Sequence, residues 1–375
     1  MIYNDFKGLK LSALGMGTMR LPTKENYNDI DEEKTYEMVK YAIDNGVNYF
    51  DTAWGYHGGN SEITMGNVLS KFPRESYYLA TKFPGYDVSN MDKVEEIFEK
   101  QLKRLKVDYF DFYLVHNLCE KNVNEYLDPK FGIYEYLLEQ KKRGRIRHLG
   151  FSTHGSLETM KRFLDAYGDG MEFCQLQINY LDYKFQQGKE KIEMVTKLGM
   201  PVFVMEPVRG GKLATLPQEY TDILKEANKD YSAPEWAFRF IQGLPEVKVT
   251  LSGMSNFDQL CENIKTFNES KPLNGKEMEA LIKVRDEMIN KASLPCTSCR
   301  YCTDHCPMEL DIPKIIELYN EYTMSKGGFI APMVVGTMPE NKRPSACIGC
   351  KSCEAVCPQQ IKISDMMSDF SKKLK

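Results

Sequence analysis

The chain is 375 residues long, which suits two or three domains, or one barrel-sized domain with an addition. Hydrophobic residues make up 42% and charged residues 27%, with ordinary Gly and Pro, which excludes a disordered or collagen-like chain. Lys and Arg total 49 against 53 Asp and Glu, so the net charge of −4 offers no basic surplus for nucleic acid or acidic lipid, and neither partner is expected.

The first residues, Met1-Ile-Tyr-Asn-Asp-Phe-Lys, lack the basic start and apolar run of a signal peptide. No later stretch of about 18 apolar residues could span a bilayer, so a cytoplasmic location is predicted. Phe6 to Leu11 reads as a short hairpin ahead of the main strands, placed to close the bottom of their sheet. Apolar runs rich in Val, Ile, Tyr and Phe then alternate with segments of helical period. They predict eight strands: Ala13 to Gly17, Tyr49 to Ala53, Tyr77 to Lys82, Phe110 to His116, Ile146 to Ser152, Glu172 to Asn179, Val202 to Glu206 and Lys248 to Gly253. Between them, Met91 to Lys106 typifies the helices, with Val94, Ile97, Phe98, Leu102 and Leu105 on one face. No G-x-G-x-x-G follows the first strand. Eight strands over about 260 residues fit an α/β fold of the (β/α)8 (TIM) barrel type better than an open doubly wound sheet. An amphipathic helix, Gly275 to Lys291, ends at Leu294-Pro295. The chain is thus divided into a barrel (1–272), a connecting helix (273–294) and a cysteine-rich domain (295–375).

Reactive groups in such barrels lie at the C-terminal ends of strands. There the sequence places Asp51, Lys82 and His116, with Tyr56 in the loop after Asp51. Each alone has a bland reading as a capping, solvated or packed residue. Together, Phe50-Asp51-Thr52-Ala53-Trp54-Gly55-Tyr56, Ala80-Thr81-Lys82 and Asp111-Phe112-Tyr113-Leu114-Val115-His116 resemble the aldo-keto reductases in order and strand position, over about residues 8 to 268. The resemblance implies an oxidoreductase that reduces a small carbonyl-type substrate with NAD(P)H. Reduction needs a proton at the oxygen as hydride reaches carbon, and a free tyrosine, pKa about 10, is a reluctant acid. Lys82 is expected to lower the Tyr56 phenol, Asp51 to keep Lys82 protonated, and neutral His116 to orient the carbonyl.

The same resemblance assigns a cofactor side. Ser152 and Gln175 match positions that hold the nicotinamide carboxamide. Arg209, Gly210, Gly211 and Lys212 lie in a segment like the pyrophosphate loop, where glycines allow close approach of backbone to phosphate. Gly253, Gln259 and Asn263 fall in a segment like the adenosine site. Met205 replaces the aromatic that often stacks on nicotinamide, and Gln259 replaces an arginine that often meets a 2′-phosphate, so NADP is not singled out over NAD.

Eight of the eleven cysteines fall between Cys296 and Cys357. In a reducing cytosol such a cluster holds metal more readily than disulfides. The runs Cys296-x-x-Cys299-x-x-Cys302-x-x-x-Cys306-Pro307 and Cys347-x-x-Cys350-x-x-Cys353-x-x-x-Cys357-Pro358 match the bacterial ferredoxin pattern. A zinc site would pair two separated C-x-x-C knuckles instead. The tail therefore resembles a two-cluster, mainly helical ferredoxin-like domain. That resemblance implies crossed ligation of two [4Fe–4S] clusters, Cys296, Cys299, Cys302 and Cys357 for one, Cys347, Cys350, Cys353 and Cys306 for the other. The spacer is long, about forty residues with a helix-like Ile312 to Tyr322. Cys119, Cys174 and Cys261 read as buried small hydrophobes.

Nicotinamide passes two electrons as hydride, whereas a cluster takes one at a time. A flavin such as FMN in the barrel mouth would join the halves, and the tail would exchange electrons with an external carrier. Two other readings stand beside this one: a redox-sensing or binding module with little turnover, and clusters that are purely structural.

Overall fold

The computed structural model describes residues 1–375 apart from Thr297, Ser298, Tyr301 and Pro358 and the side chain of residue 292. The proline closing the second cysteine run thus lies outside the described residues. Two compact units are present, Met1–Ile282 and Lys283–Lys375. Helix Gly275–Ala292 crosses that division, and its first turn belongs with the barrel: Glu277 is buried and its Oε1 accepts from Asn228 Nδ2 at 2.8 Å.

In the first unit an antiparallel hairpin, β1 (Tyr3–Phe6) and β2 (Leu9–Ser12), precedes eight parallel strands. These are β3 (Leu14–Gly17), β4 (Tyr49–Asp51), β5 (Tyr78–Phe83), β6 (Phe110–Leu118), β7 (Ile146–Thr153), β8 (Cys174–Gln177), β9 (Val202–Met205) and β10 (Val247–Gly253). They form a closed barrel in chain order, sealed where β10 pairs with β3, Thr250 opposite Leu14 and Gly253 opposite Gly17. All eight predicted strands are present. The sixth is shorter than its apolar run because both ends are committed elsewhere: Glu172 turns its carboxylate to Lys7, Lys141 and His148, and Asn179 bonds Asp182.

The interior is filled by Tyr49, Phe112, Leu114, Phe203, Val249 and their neighbours, as expected of a packed core rather than a pore. Gly15 fits closely within it, since a Cβ there would lie 2.8 Å from Leu251 Cδ2 and Val249 Cγ1 and would force both side chains to shift. The hairpin plugs the end away from Asp51 and Lys82: Phe6 is buried and sits 5.4 Å from the ring of Phe112 and 5.7 Å from that of Phe203. Phe6→Ala should cost about 3–5 kcal/mol of barrel stability, the usual range for emptying a buried aromatic site. Urea unfolding would show this as a lowered midpoint; an unchanged midpoint would mean that the plug is dispensable.

The helix expected from Met91 begins at Val94 and runs to Leu105, because Asp87 caps a separate tight turn by accepting from Ser89 N. In the second unit, helices Ile312–Met324, Ile330–Thr337 and Ile363–Lys373 share a core of Ile315, Ile316, Val335, Met367 and Phe370. Asp311 caps the first by accepting from Lys314 N, with Pro313 in its first turn.

Candidate active site and cysteine centres

The end of β4, the turn after it and β5 bring three candidate residues together. Lys82 is fully buried, and its Nζ donates to Asp51 Oδ1 at 2.6 Å and to the Thr52 carbonyl at 2.8 Å. Its third neighbour is the Tyr56 hydroxyl at 3.4 Å. Burial alone would pull the lysine down, but Asp51 and then Tyr56 more than offset it, so the ammonium is held above its ordinary value. The tyrosine departs from the sequence expectation. Burial pushes its phenol up, and Lys82 only partly opposes that, with Asp51 acting against it. Tyr56 therefore keeps its proton at neutral pH, and Lys82 reduces the cost of releasing it.

His116, near the end of β6, completes the cluster. Its ring lies 6.1 Å from Tyr56 and nearly perpendicular to it. Burial, then the Lys82 charge, depress its pKa well below the ordinary histidine value, so it is neutral, in agreement with the sequence reading. Its Nδ1 is buried with no partner among the described residues. Tyr86, which sequence reasoning does not single out, stands edge-on to His116 at 5.2 Å, its phenol pushed up to about 12 by burial and by Tyr56.

Behind Lys82 lies another group that the sequence reading misses. Glu62 is fully buried; its Oε1 accepts from Thr81 Oγ1 and Gln101 Nε2, both at 2.7 Å, and its Oε2 from Arg104 at 3.1 Å. Gln101 also donates to the Lys82 carbonyl at 2.9 Å, which fixes the strand that carries the lysine. One signal is present in the sequence: Glu62 shares a helix face with Met65, Gly66 and Leu69, a charge where the period calls for an apolar residue.

On the cofactor side, Ser152 of β7 pairs in register with Gln175 of β8. The Asn117 amide donates to Ser152 Oγ at 2.9 Å, while Gln175 Oε1 is buried with no partner among the described residues. An orphaned amide oxygen beside a hydroxyl fits a ligand carboxamide. Met205 ends β9, opposite Gln177. The loop beyond it turns through Gly210 (φ 65°) and Gly211 (φ 95°). Arg209 is tied down inside this loop, its Nε 3.1 Å from both oxygens of buried Asp182. Lys212 closes the turn. Past Gly253, Gln259 Oε1 accepts from Ser255 N at 2.8 Å, and buried Asn263 donates to Ser252 Oγ at 3.0 Å. Arg209 and Asn263 thus support the loops, whereas Gln175, Gly210 and Gly211 can face a ligand.

In the second unit the cysteines surround two cavities in the crossed arrangement. One is lined by Cys296, Cys299, Cys302 and Cys357; the other by Cys306, Cys347, Cys350 and Cys353. Ile363 lines both. Cys302 and Cys353 are buried, and burial together with neighbouring thiols pushes each up to about 11. Four crowded thiols fit a cationic centre that would take them as thiolates. Of the other cysteines, Cys119 and Cys174 are buried, but Cys261 is exposed, on the outer face of helix Phe257–Phe267; its helical position does not place it inside.

The aldo/keto reductase family profile matches residues 13–286. The chain belongs to the aldo/keto reductase family. A profile for a 4Fe-4S dicluster domain matches residues 295–361, so an oxidoreductase barrel is followed by an iron–sulfur domain. An uncharacterized oxidoreductase of Bacillus subtilis, YqkF, is 26% identical over 315 residues, covering 76% of this chain and 96% of that protein. An Escherichia coli NADH-specific methylglyoxal reductase is 26% identical over 257 residues, covering 64% of this chain and 76% of that one. Among solved structures, an aldo-keto reductase from Bacillus halodurans in its holo form superposes with a TM-score of 0.61 at 26% identity, covering 74% of this chain and 93% of the other. No helix among the described residues of this aldo/keto reductase is long and apolar enough to cross a membrane.

Proposed function

We propose that the barrel reduces a small aldehyde or ketone with NAD(P)H, and that the eight clustered cysteines hold two [4Fe–4S] clusters that exchange single electrons with an external carrier in a reducing, cytoplasmic setting. The observation that carries this reading is the Lys82 ammonium fixed between the Asp51 carboxylate and the Tyr56 hydroxyl. The match to a methylglyoxal reductase supports a substrate of that size and polarity.

When bound, the nicotinamide supplies a hydride to the carbonyl carbon. Tyr56 holds, at its hydroxyl, the proton that the carbonyl oxygen needs. Lys82 stabilises the phenolate as the proton leaves, and Asp51 keeps the lysine charged. Neutral His116 can donate a hydrogen bond to the carbonyl oxygen and set its orientation. Ser152 and Gln175 would hold the carboxamide, and Gly210, Gly211, Lys212, Gly253 and Gln259 would line the remainder of the dinucleotide groove, with Arg209 and Asn263 bracing its loops from behind. If the two halves exchange electrons internally, their different electron counts call for a mediator such as FMN in the barrel mouth.

Full-length protein purified without oxygen should oxidise NADH or NADPH when methylglyoxal or a similar small carbonyl is added. Absence of turnover across a panel of small aldehydes and ketones would remove the reductase reading. Iron, sulfide and released-flavin analysis of the same sample tests the clusters and FMN.

A further inference from the structure

His57 follows Tyr56 directly in the chain, and every polar group of its side chain is engaged. It is buried, and its backbone is left-handed (φ 52°, ψ 43°), a region that a residue other than glycine keeps where its surroundings hold it there. Its Nε2 accepts from Leu21 N at 3.2 Å, which assigns the ring proton to Nδ1, and Nδ1 donates to the Tyr27 carbonyl. The Tyr27 ring stacks on the imidazole with 4.3 Å between centroids and 18° between planes, and the Tyr27 hydroxyl accepts from His57 N at 3.3 Å. Burial lowers the His57 pKa and so keeps the ring in the neutral form that this pattern needs.

Leu21 and Tyr27 both lie in the loop between β3 and helix Glu32–Asp44, so His57 fastens the turn that carries Tyr56 to that loop at two points. The loop is anchored in its own right. Thr18 Oγ1 donates to the Asp51 carbonyl at 3.0 Å, and Ser255 Oγ donates to the Arg20 carbonyl at 2.9 Å. The Thr18 hydroxyl also lies 2.8 Å from that of Ser61, which lies 2.9 Å from that of Thr52, the residue whose carbonyl accepts from Lys82. One loop therefore braces both sides of the Lys82–Tyr56 contact. The lysine is further held by Asp51, whereas the Tyr56 side chain makes a single hydrogen-bond contact among the described residues, to Lys82 itself. Where the phenol stands is set by the turn behind it.

Resting on the reductase reading above, we propose that His57 is the positioning residue for Tyr56: by gripping the loop after β3 with both ring nitrogens, it fixes the turn that sets the Tyr56 hydroxyl against Lys82. His57 acts through Tyr56 and on no reactant. At 3.4 Å the hydroxyl is already at the long end of hydrogen-bond range, so a slackened turn would carry it away from the charge that eases proton release.

The test measures turnover of methylglyoxal at saturating dinucleotide in full-length wild type, His57→Gly and His57→Asn, each also in the Tyr56→Phe background. Glycine keeps the left-handed turn and removes the ring; asparagine also tolerates that turn and returns one donor for the Tyr27 carbonyl. His57→Gly should lower the turnover number by about 10- to 100-fold, and His57→Asn should recover part of the loss. In the Tyr56→Phe background His57→Gly should change the residual rate by less than about twofold, because the group it positions is gone. Thermal melting shows which variants are folded at the assay temperature. If His57→Gly is not, His57→Asn decides alone: a loss seen with Tyr56 present and absent in Tyr56→Phe supports the assignment, and any other result overturns it. Turnover within about threefold of wild type in folded His57→Gly, or an equal loss in both backgrounds, also overturns it. Wild-type protein that turns over no small carbonyl overturns the reductase reading itself, and this inference with it.

Discussion

Replacing Tyr56 with phenylalanine should lower the turnover number for carbonyl reduction by about 100- to 10,000-fold, the contribution general acid catalysis usually makes. The substitution removes one oxygen and little else. The ring still faces His116 at 6.1 Å and keeps the Lys82 ammonium 5.0 Å from its centroid. Lys82 retains Asp51 and the Thr52 carbonyl as partners, so the buried ion pair is not orphaned and the barrel should fold normally. Dissociation constants for NADH should therefore hardly move while turnover collapses. The phenol is held above its ordinary value. Activity in the wild type should accordingly persist through neutral pH and fall only as alkaline conditions remove that proton. A phenylalanine variant within about threefold of wild type would assign the proton to another donor, with Tyr86, packed on His116, the next to examine.

The second large effect concerns cluster ligation and is read by counting iron. Wild-type protein should carry about eight iron atoms per chain, and Cys306→Ser about four, if each [4Fe–4S] cluster is lost as a unit. Combining Cys306→Ser with Cys350→Ser should remove nothing further, because both residues line the same cavity. Combining it with Cys299→Ser, from the other cavity, should strip the remainder. Uncrossed ligation predicts the reverse: Cys306 and Cys299 would share a cluster, and Cys306 with Cys350 would empty both. Serine keeps the size of the side chain, so packing around Leu310 and Ile312 is little disturbed.

The barrel is legible because each buried strand is a dense apolar run flanked by helical periods, and the catalytic end can be located from polar residues directly after Phe50, Thr81 and Val115. Family resemblance then selects Asp51, Tyr56, Lys82 and His116, which the structure brings into one cluster. Less of the supporting chemistry can be read. Glu62, Gln101 and Arg104 meet across 39 to 42 residues of sequence, and Arg20 lies against Ser255 across 235, separations that no local pattern encodes. The direction in which the Tyr56 phenol moves escapes the sequence for a related reason: the neighbouring charge is visible there, but the depth of burial that outweighs it is not. Cys261 shows the converse, since a helical position says nothing of which face the thiol occupies when that helix packs by Leu260, Asn263 and Ile264.

Glu62 has a wider implication. Arg104, on the outer helix Val94–Leu105, stacks over Trp54 with 3.9 Å to the ring centroid while its other arm holds Glu62, and Glu62 in turn grips the Thr81 hydroxyl and Gln101 next to the lysine. The placement of Lys82 beside Tyr56 is therefore written partly on the barrel's outer layer. Anyone resurfacing that helix for solubility, or comparing drifted sequences along it, would be adjusting the Asp51–Lys82–Tyr56 cluster from outside without altering any of its members.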